Sequence, residues 1–206
     1  MPLAGERPDS SSTRFAYPVF LDLHGVFVLV VGGGPVGARK CEGLAAAGAR
    51  VRLVAPSISE SLDVEAIAEV HERAFRLSDL DDVRLVVAAT GDQAVDAEVS
   101  SAARERGIFV NAADQPVDCD FILPAIARTG RITAAISTDG ASPTLASELR
   151  NMVTDLLTPE VANLAEELSA ERAAVHAAGD STEKIDWKPR VRAALDEALR
   201  GNSLRG

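Results

Sequence analysis

Two features of this 206-residue chain carry residue types that could do chemistry: a glycine run and a carboxylate. Gly32-Gly33-Gly34-Pro35-Val36-Gly37 has the spacing G-x-G-x-x-G, directly after the apolar run Val26–Val31 and directly before a helical stretch. Gly32 permits a tight turn, Gly34 lets a pyrophosphate approach the backbone, and Gly37 lets helix and strand pack closely. A helix that starts there offers free N–H groups and a partial positive charge to phosphates. The motif in this setting predicts a dinucleotide site, against the plainer reading of a structural glycine turn. The second strand ends Leu53-Val54-Ala55-Pro56-Ser57, without the Asp or Glu that usually holds the ribose hydroxyls of NAD. Ribose contacts then fall to backbone groups or Ser57. Arg52 raises NADP as an alternative, or is simply a solvated face position.

Ligands of a doubly wound sheet bind beyond the carboxyl ends of its strands. Two strands deliver polar residues there: Ala88-Ala89-Thr90-Gly91-Asp92 and Val110-Asn111-Ala112-Ala113-Asp114-Gln115-Pro116. Thr90 and Asn111 are candidate cofactor contacts. Asp114 is the candidate base, because a carboxylate past a central strand can take a proton while a nicotinamide takes a hydride. An Asx-turn or cap before Pro116 is the alternative for it.

The elements that position these residues follow from periodicity. Val26–Val31 reads as a strand covered on both faces, and Pro35–Ala47 as a helix ended by Gly48. Arg50–Val54 is a second strand, followed by a helix over about Ser57–Ala68. Val70–Arg73 and Arg84–Ala89 are further strands, Gln93–Arg106 a helix, and Ile108–Asn111 a fifth strand. This alternation predicts an α/β class, a doubly wound Rossmann-type parallel sheet. Ile122–Arg128 and Arg131–Ser137 then flank a Thr129-Gly130 turn as a two-stranded element. Ser142–Leu157 opens a helix with Pro143 in its first turn, and residues 159–200 are helical apart from a break at Gly179-Asp180-Ser181. The stripe Val161, Leu164, Leu168 and Val175 is expected to pack on the body or on a second subunit. The expected organisation is a mobile leader (1–16), a nucleotide-binding domain (17–121), a small αβ segment (122–157) and a C-terminal helical domain (158–206).

Composition excludes several classes. There are 21 Lys+Arg against 31 Asp+Glu, a net charge of −10, which argues against a nucleic-acid surface. The 47% hydrophobic and 25% charged content is that of a folded rather than a disordered chain. The polar first residues and the glycine-broken apolar run predict neither a secretory signal nor a membrane span, so a cytoplasmic location is expected. Cys41 reads as a buried thiol and Cys119 as a loop residue, with no metal-ligand spacing around either. His24, His71 and His176 are far apart and read as surface residues, so no metal ligand set is assigned.

Several runs together resemble the precorrin-2 dehydrogenase / sirohydrochlorin ferrochelatase family, including the N-terminal module of sirohaem synthase. They are Pro18–Leu23, Gly32–Lys40, Val54-Ala55-Pro56, Ala88-Ala89-Thr90, Asn111–Asp114, Cys119–Ala125 and Ile136-Ser137-Thr138. The resemblance covers residues 17–157 strongly and the tail loosely. It implies NAD-dependent oxidation of precorrin-2 to sirohydrochlorin, with Fe²⁺ insertion as a second activity in some members, and a homodimer built partly from residues 122–157. It places the catalytic aspartate on Asp114 and NAD contacts on Pro35, Val36, Pro56 and Ser57. The absent ribose carboxylate then becomes a family trait, which favours NAD over NADP.

A substrate fringed with carboxylates needs counter-charges, and Arg128, Arg131 and Arg150, with Ser142, form the expected substrate rim. Each arginine has the alternative of a solvated surface charge, and Ser142 that of a helix N-cap. Asp139 stands where the family has glycine. The competing function is a non-catalytic dinucleotide-sensing module, which would normally carry an acidic residue at the second strand's end and no Asn-x-x-Asp after the fifth.

Overall fold

The computed structural model describes residues 14–203, so nearly all of the expected leader lies outside the described residues. The chain divides into two compact units, one running to Leu123 and the other starting at Pro124. In the first unit, β1 (Phe27–Val31), β2 (Arg50–Ala55), β3 (Glu69–Glu72), β4 (Leu85–Ala88) and β5 (Phe109–Ala112) form one sheet in the order β3-β2-β1-β4-β5. Every pairing is parallel, with Val31 opposite Val54 on one side and Ala88 on the other. The predicted doubly wound sheet is the observed fold.

Period-2 alternation sends successive side chains of β1 to opposite faces. Leu29 and Val31 join Val54, Val86, Val99, Ala103 and Val110 on the face covered by α2 (Gln93–Glu105). Val28 and Val30 join Cys41, Leu44, Val51, Leu53 and Val87 on the face covered by α1 (Pro35–Ala46). Val28, Leu29 and Val30 are all 0% exposed. Each such side chain is worth about 1.5–3 kcal/mol of transfer free energy, so the central strand is the anchor of the unit. Burial also pushes the Cys41 thiol up to about 12, so it stays protonated and unreactive.

Two expectations are corrected and a third gains a detail. Residues 57–68 do not form a helix: they run as a loop with one 3₁₀ turn at Val64–Ala66. The cause is local competition for backbone groups. Asp63 caps that turn by accepting from the Glu65 N–H, Ser59 and Ser61 bond each other through their hydroxyls at 2.8 Å, and the Ser59 N–H donates to the Gly33 carbonyl at 2.8 Å. Cys119 is a loop residue as expected, but a buried one: it is 3% exposed and its Sγ accepts from the Ala112 N–H at 3.3 Å. Arg52 is neither solvated nor free. It bonds Glu69 Oε2 at 2.5 Å and donates to the carbonyls of Asp79 and Asp81 at 2.9 and 3.0 Å, tying β2 to β3 and to the turn that precedes β4.

In the second unit, β6 (Ala125–Thr129) and β7 (Ile132–Ile136) pair antiparallel through a turn in which Gly130 has φ 55°. Helix α3 (Pro143–Leu156) lies against both strands and buries Ala146. Helices α4 (Pro159–Ala177) and α5 (Lys188–Ser203) pack on each other. Of the expected stripe on α4, Val161 and Leu164 are buried, while Leu168 and Val175 are half-buried. No helix among the described residues is long and apolar enough to cross a membrane.

A Cβ on Gly37 would lie 1.9 Å from the Gly32 carbonyl oxygen, whereas one on Gly43, in the same helix, would meet nothing within 4 Å. Gly37→Ala is therefore expected to lower the unfolding free energy by about 2 kcal/mol or more in a urea titration. Gly43→Ala should be neutral or stabilising by about 1 kcal/mol. Equal midpoints for the two variants would remove backbone proximity as the reason for Gly37.

Candidate dinucleotide site

The glycine bend lies at the carboxyl end of β1. Gly32 has φ 119°, and a Cβ there would sit 2.2 Å from the Ala89 carbonyl oxygen, so only glycine lets β1 turn beside the end of β4. Gly33, which sequence reasoning passed over, is equally constrained: its Cβ would lie 2.2 Å from the Ser57 carbonyl oxygen. The signal was present as a third consecutive glycine, but its reason is the loop after β2 folding over the bend. Gly34 is different. It is exposed, with φ −72°, and a Cβ on it would meet nothing within 4 Å. The protein leaves that space open.

Gly34 is also the N-cap of α1, and no side chain caps the helix or places an acid in its first turn. By contrast, α2, α3 and α4 are capped by the side chains of Asp92, Ser142 and Thr158. An uncapped N-terminus beside an open glycine fits a diphosphate, which would complete the cap through the helix N–H groups. Pro35 and Val36 are exposed at this first turn, and Pro56 and Ser57 are exposed on the loop after β2. Between Pro56 and Asp63 that loop carries no basic residue.

Two further strand ends border the bend. Thr90 follows β4, and its backbone nitrogen would lie 2.8 Å from a Cβ on Gly32. Asp114 follows β5, exposed, with a left-handed φ of 59°. Such a conformation costs a non-glycine residue on the order of 1 kcal/mol and is held here by flanking bonds. The Ala113 N–H donates to Ala88 at 2.8 Å and the Gln115 N–H to Ala112 at 3.3 Å. On the face of α1, the half-buried Lys40 feels the Asp114 charge. Burial, then Arg39, lowers the Lys40 pKa, and Asp114 opposes them. Lys40 did not stand out from the sequence, because only the crossover through α1 brings it to Asp114.

Asn111 is placed differently from the other candidates. It is 8% exposed and its amide donates inward to the Phe121 carbonyl at 2.9 Å, holding the loop after β5. The same loop is also held by Arg14, whose guanidinium donates to the carbonyls of Pro116 and Cys119.

The remaining candidates lie in the second unit. Arg128 donates to Thr133 Oγ1 at 3.3 Å, Arg131 pairs with Glu166 at 3.1 Å, and the half-buried Arg150 bonds Asn151 at 2.9 Å. Ser142 accepts from the Leu145 N–H at 3.1 Å and caps α3. Asp139 takes φ 52°, the region in which glycine is at ease. Among the described residues no group of three His, Cys, Asp or Glu could hold a metal ion.

Comparison with known proteins agrees with this geometry. Residues 19–125 match the family described as "Putative NAD(P)-binding". The chain belongs to that family. It is 41% identical over 152 residues to the siroheme synthase of Methylococcus capsulatus, a match covering 72% of this chain and 32% of that one. With the siroheme synthase of Nitrosococcus oceani it shares 33% identity over 187 residues, 88% of this chain and 40% of that one. The chain thus spans about a third of the length of the curated relatives it matches. Among solved structures it is similar to "SirC, precorrin-2 dehydrogenase", with a TM-score of 0.69, 29% identity, and coverage of 91% of this chain and 98% of that one.

The open position and the close-packed positions of the bend predict opposite phenotypes. Gly34→Ala should fold with stability within about 1 kcal/mol of the parent. Its affinity for the dinucleotide should fall about tenfold or more by titration calorimetry, because a methyl group would occupy the approach of the diphosphate. Unchanged affinity would move the diphosphate away from Gly34.

Proposed function

We propose that this chain catalyses the NAD-dependent dehydrogenation of precorrin-2 to sirohydrochlorin in sirohaem biosynthesis. The observation that carries this reading is the exposed Asp114, set in a left-handed turn at the end of β5 on the same sheet edge as the open glycine bend. The extent of the similarity to SirC and the identity to siroheme synthases support it. In the reaction a C–H bond of the macrocycle gives up a hydride and a neighbouring position gives up a proton. Bound NAD supplies the hydride acceptor. Asp114 takes the proton on its carboxylate and, being exposed, returns it to water. Gly32, Gly34 and Gly37, with Pro35 and Val36, would receive the diphosphate, and Pro56, Ser57 and Thr90 would flank the ribose and nicotinamide ends. Asn111 would act through the loop it holds.

NAD rather than NADP is supported by Arg52. Its guanidinium is already engaged by Glu69, Asp79 and Asp81, which leaves no basic residue on the loop after β2 to meet a 2′-phosphate. Residues 17–121 would hold the cofactor. Arg128, Arg131, Arg150 and Ser142 of the second unit would meet the substrate's carboxylates. Fe²⁺ insertion into the product is a second proposed activity, with the metal as substrate and Asp114 accepting pyrrole protons.

We further infer a homodimer formed through residues 122–157. Leu145, Leu149, Met152 and Leu156 recur along one face of α3 and are 52, 38, 63 and 57% exposed, and Ile126 on β6 is 46% exposed. A stripe of this kind on a helix that already packs its other face is what a subunit interface looks like.

Asp114→Ala should abolish NADH formation from precorrin-2 while leaving NAD binding within about threefold, since a base acts in the chemical step. Wild-type protein given precorrin-2, NAD and then Fe²⁺ should show NADH absorbance first and a sirohaem spectrum second. Iron insertion no faster than without protein would leave the dehydrogenase alone. Leu149→Glu with Met152→Glu should give a monomer by sedimentation, and a wild type that sediments as a monomer would refute the dimer.

A further inference from the structure

Asp96 is 1% exposed, a more deeply buried charge than Asp79 at 4%. It lies in the first turn of α2, where the helix dipole favours a negative group. One carboxylate oxygen, Oδ1, accepts from the Thr90 N–H at 3.1 Å and from the Thr90 hydroxyl at 2.8 Å. The other, Oδ2, accepts from Gln115 Nε2 at 3.4 Å. Its own backbone is anchored on both sides: its N–H donates to the Asp92 carbonyl at 2.9 Å, and its carbonyl accepts from the Ser100 hydroxyl at 2.7 Å. A single rigid carboxylate therefore bridges the loop after β4 and the loop after β5.

The two ends of the bridge are informative. Thr90 abuts the glycine bend at Gly32, and Gln115 is the residue after Asp114. The left-handed turn at Asp114 rests on two backbone bonds, at Ala113 and Gln115. The Gln115 side chain adds a third tether, which reaches from that turn to the buried first turn of α2. Burying an ionised carboxylate is expensive unless its lone pairs are filled, and here the fillers come from the two loops that border the site. An ordinary helix cap on α2 does not require this, because Asp92 already caps it.

We propose that Asp96 is a positioning residue for the dehydrogenation: through Gln115 it sets the turn that presents Asp114, and through Thr90 it holds that turn in register with the glycine bend. The role rests on the reading of Asp114 as the base. It acts through other groups, and touches neither the substrate nor the cofactor in the proposal.

The test is steady-state kinetics on the full chain with precorrin-2 and NAD, alongside calorimetric NAD affinity and urea stability, for Asp96→Ala, Asp96→Asn, Gln115→Ala and the double alanine variant. Asp96→Ala should lower kcat about tenfold or more, with KM for precorrin-2 and affinity for NAD within about threefold, because misplacement of a reacting group falls on the chemical step. Asp96→Asn keeps an acceptor oxygen for Thr90 and presents an N–H that the Gln115 Oε1 accepts once the Gln115 amide turns over, and should recover most of kcat. Gln115→Ala removes the donor to Asp96 Oδ2, so it should fold with a somewhat lower urea midpoint and should lower kcat, with NAD affinity within about threefold. The double variant should be no slower than Asp96→Ala, as for two groups in one linkage. Wild-type kcat in Gln115→Ala, or additive losses in the double variant, would overturn the positioning role even if Asp96→Ala fails to fold. A wild-type chain that forms no NADH would overturn the dehydrogenase reading itself, whereas an active wild type with an equally active Asp96→Ala overturns only the role of Asp96.

Discussion

Backbone packed against backbone at the end of β1 is the constraint on which the rest of the first unit depends. Gly32 lies against Ala89, Gly33 against Ser57, and Gly37 against the Gly32 carbonyl, each at a separation no Cβ would allow. These approaches draw the loops after β2 and β4 around one bend and start α1 directly over it. The fourth glycine, Gly34, faces open space. The same six residues therefore do two opposite things: three glycines close the fold, and one keeps a path open to the helix N-terminus. A dinucleotide site of this kind is the gap left when everything around it is packed to contact.

Charge is handled in the same way. The first unit buries Asp96 and Asp79, yet gives each a full set of donors. Asp79 takes two bonds from Arg73, at 2.6 and 2.8 Å, and one from the Arg76 N–H at 2.8 Å. Asp96 takes neutral donors from Thr90 and Gln115. The first arrangement lies beside the turn that precedes β4 and secures it; the second lies at the carboxyl edge, among the loops that carry the candidate site. Asp114, at the same carboxyl edge, is exposed. That contrast between buried, hydrogen-bonded carboxylates and an exposed one separates the structural acids Asp79 and Asp96 from the candidate base.

Much of the fold was legible in local patterns. The apolar runs of β1, β2 and β4 mark buried parallel strands, because a strand covered on both faces has no polar side to show. The helix ends at Gly48 and Gly107 follow from the left-handed φ each adopts, 83° and 69°. The segment after β2 departs from the expected helix for a physical reason: Ser59, Ser61 and Asp63 satisfy the backbone locally, and Gly33 supplies an acceptor that lies far away in sequence. Arg52 was misread for a related reason. Alternation places it on a face, but only the pairing of β2 with β3 brings Glu69 to it.

By itself the amino-acid sequence determined the class of sheet, the glycine bend and the position of Asp114 at a strand end, since each depends on residues adjacent in the chain or spaced by a local period. The tertiary structure decided which glycines are closed and which is open, that Arg52 is occupied, that Cys119 is buried, and that Asp96 joins two loops. Those outcomes are set by groups brought together through the β-α crossovers, and no local pattern records the distance between them.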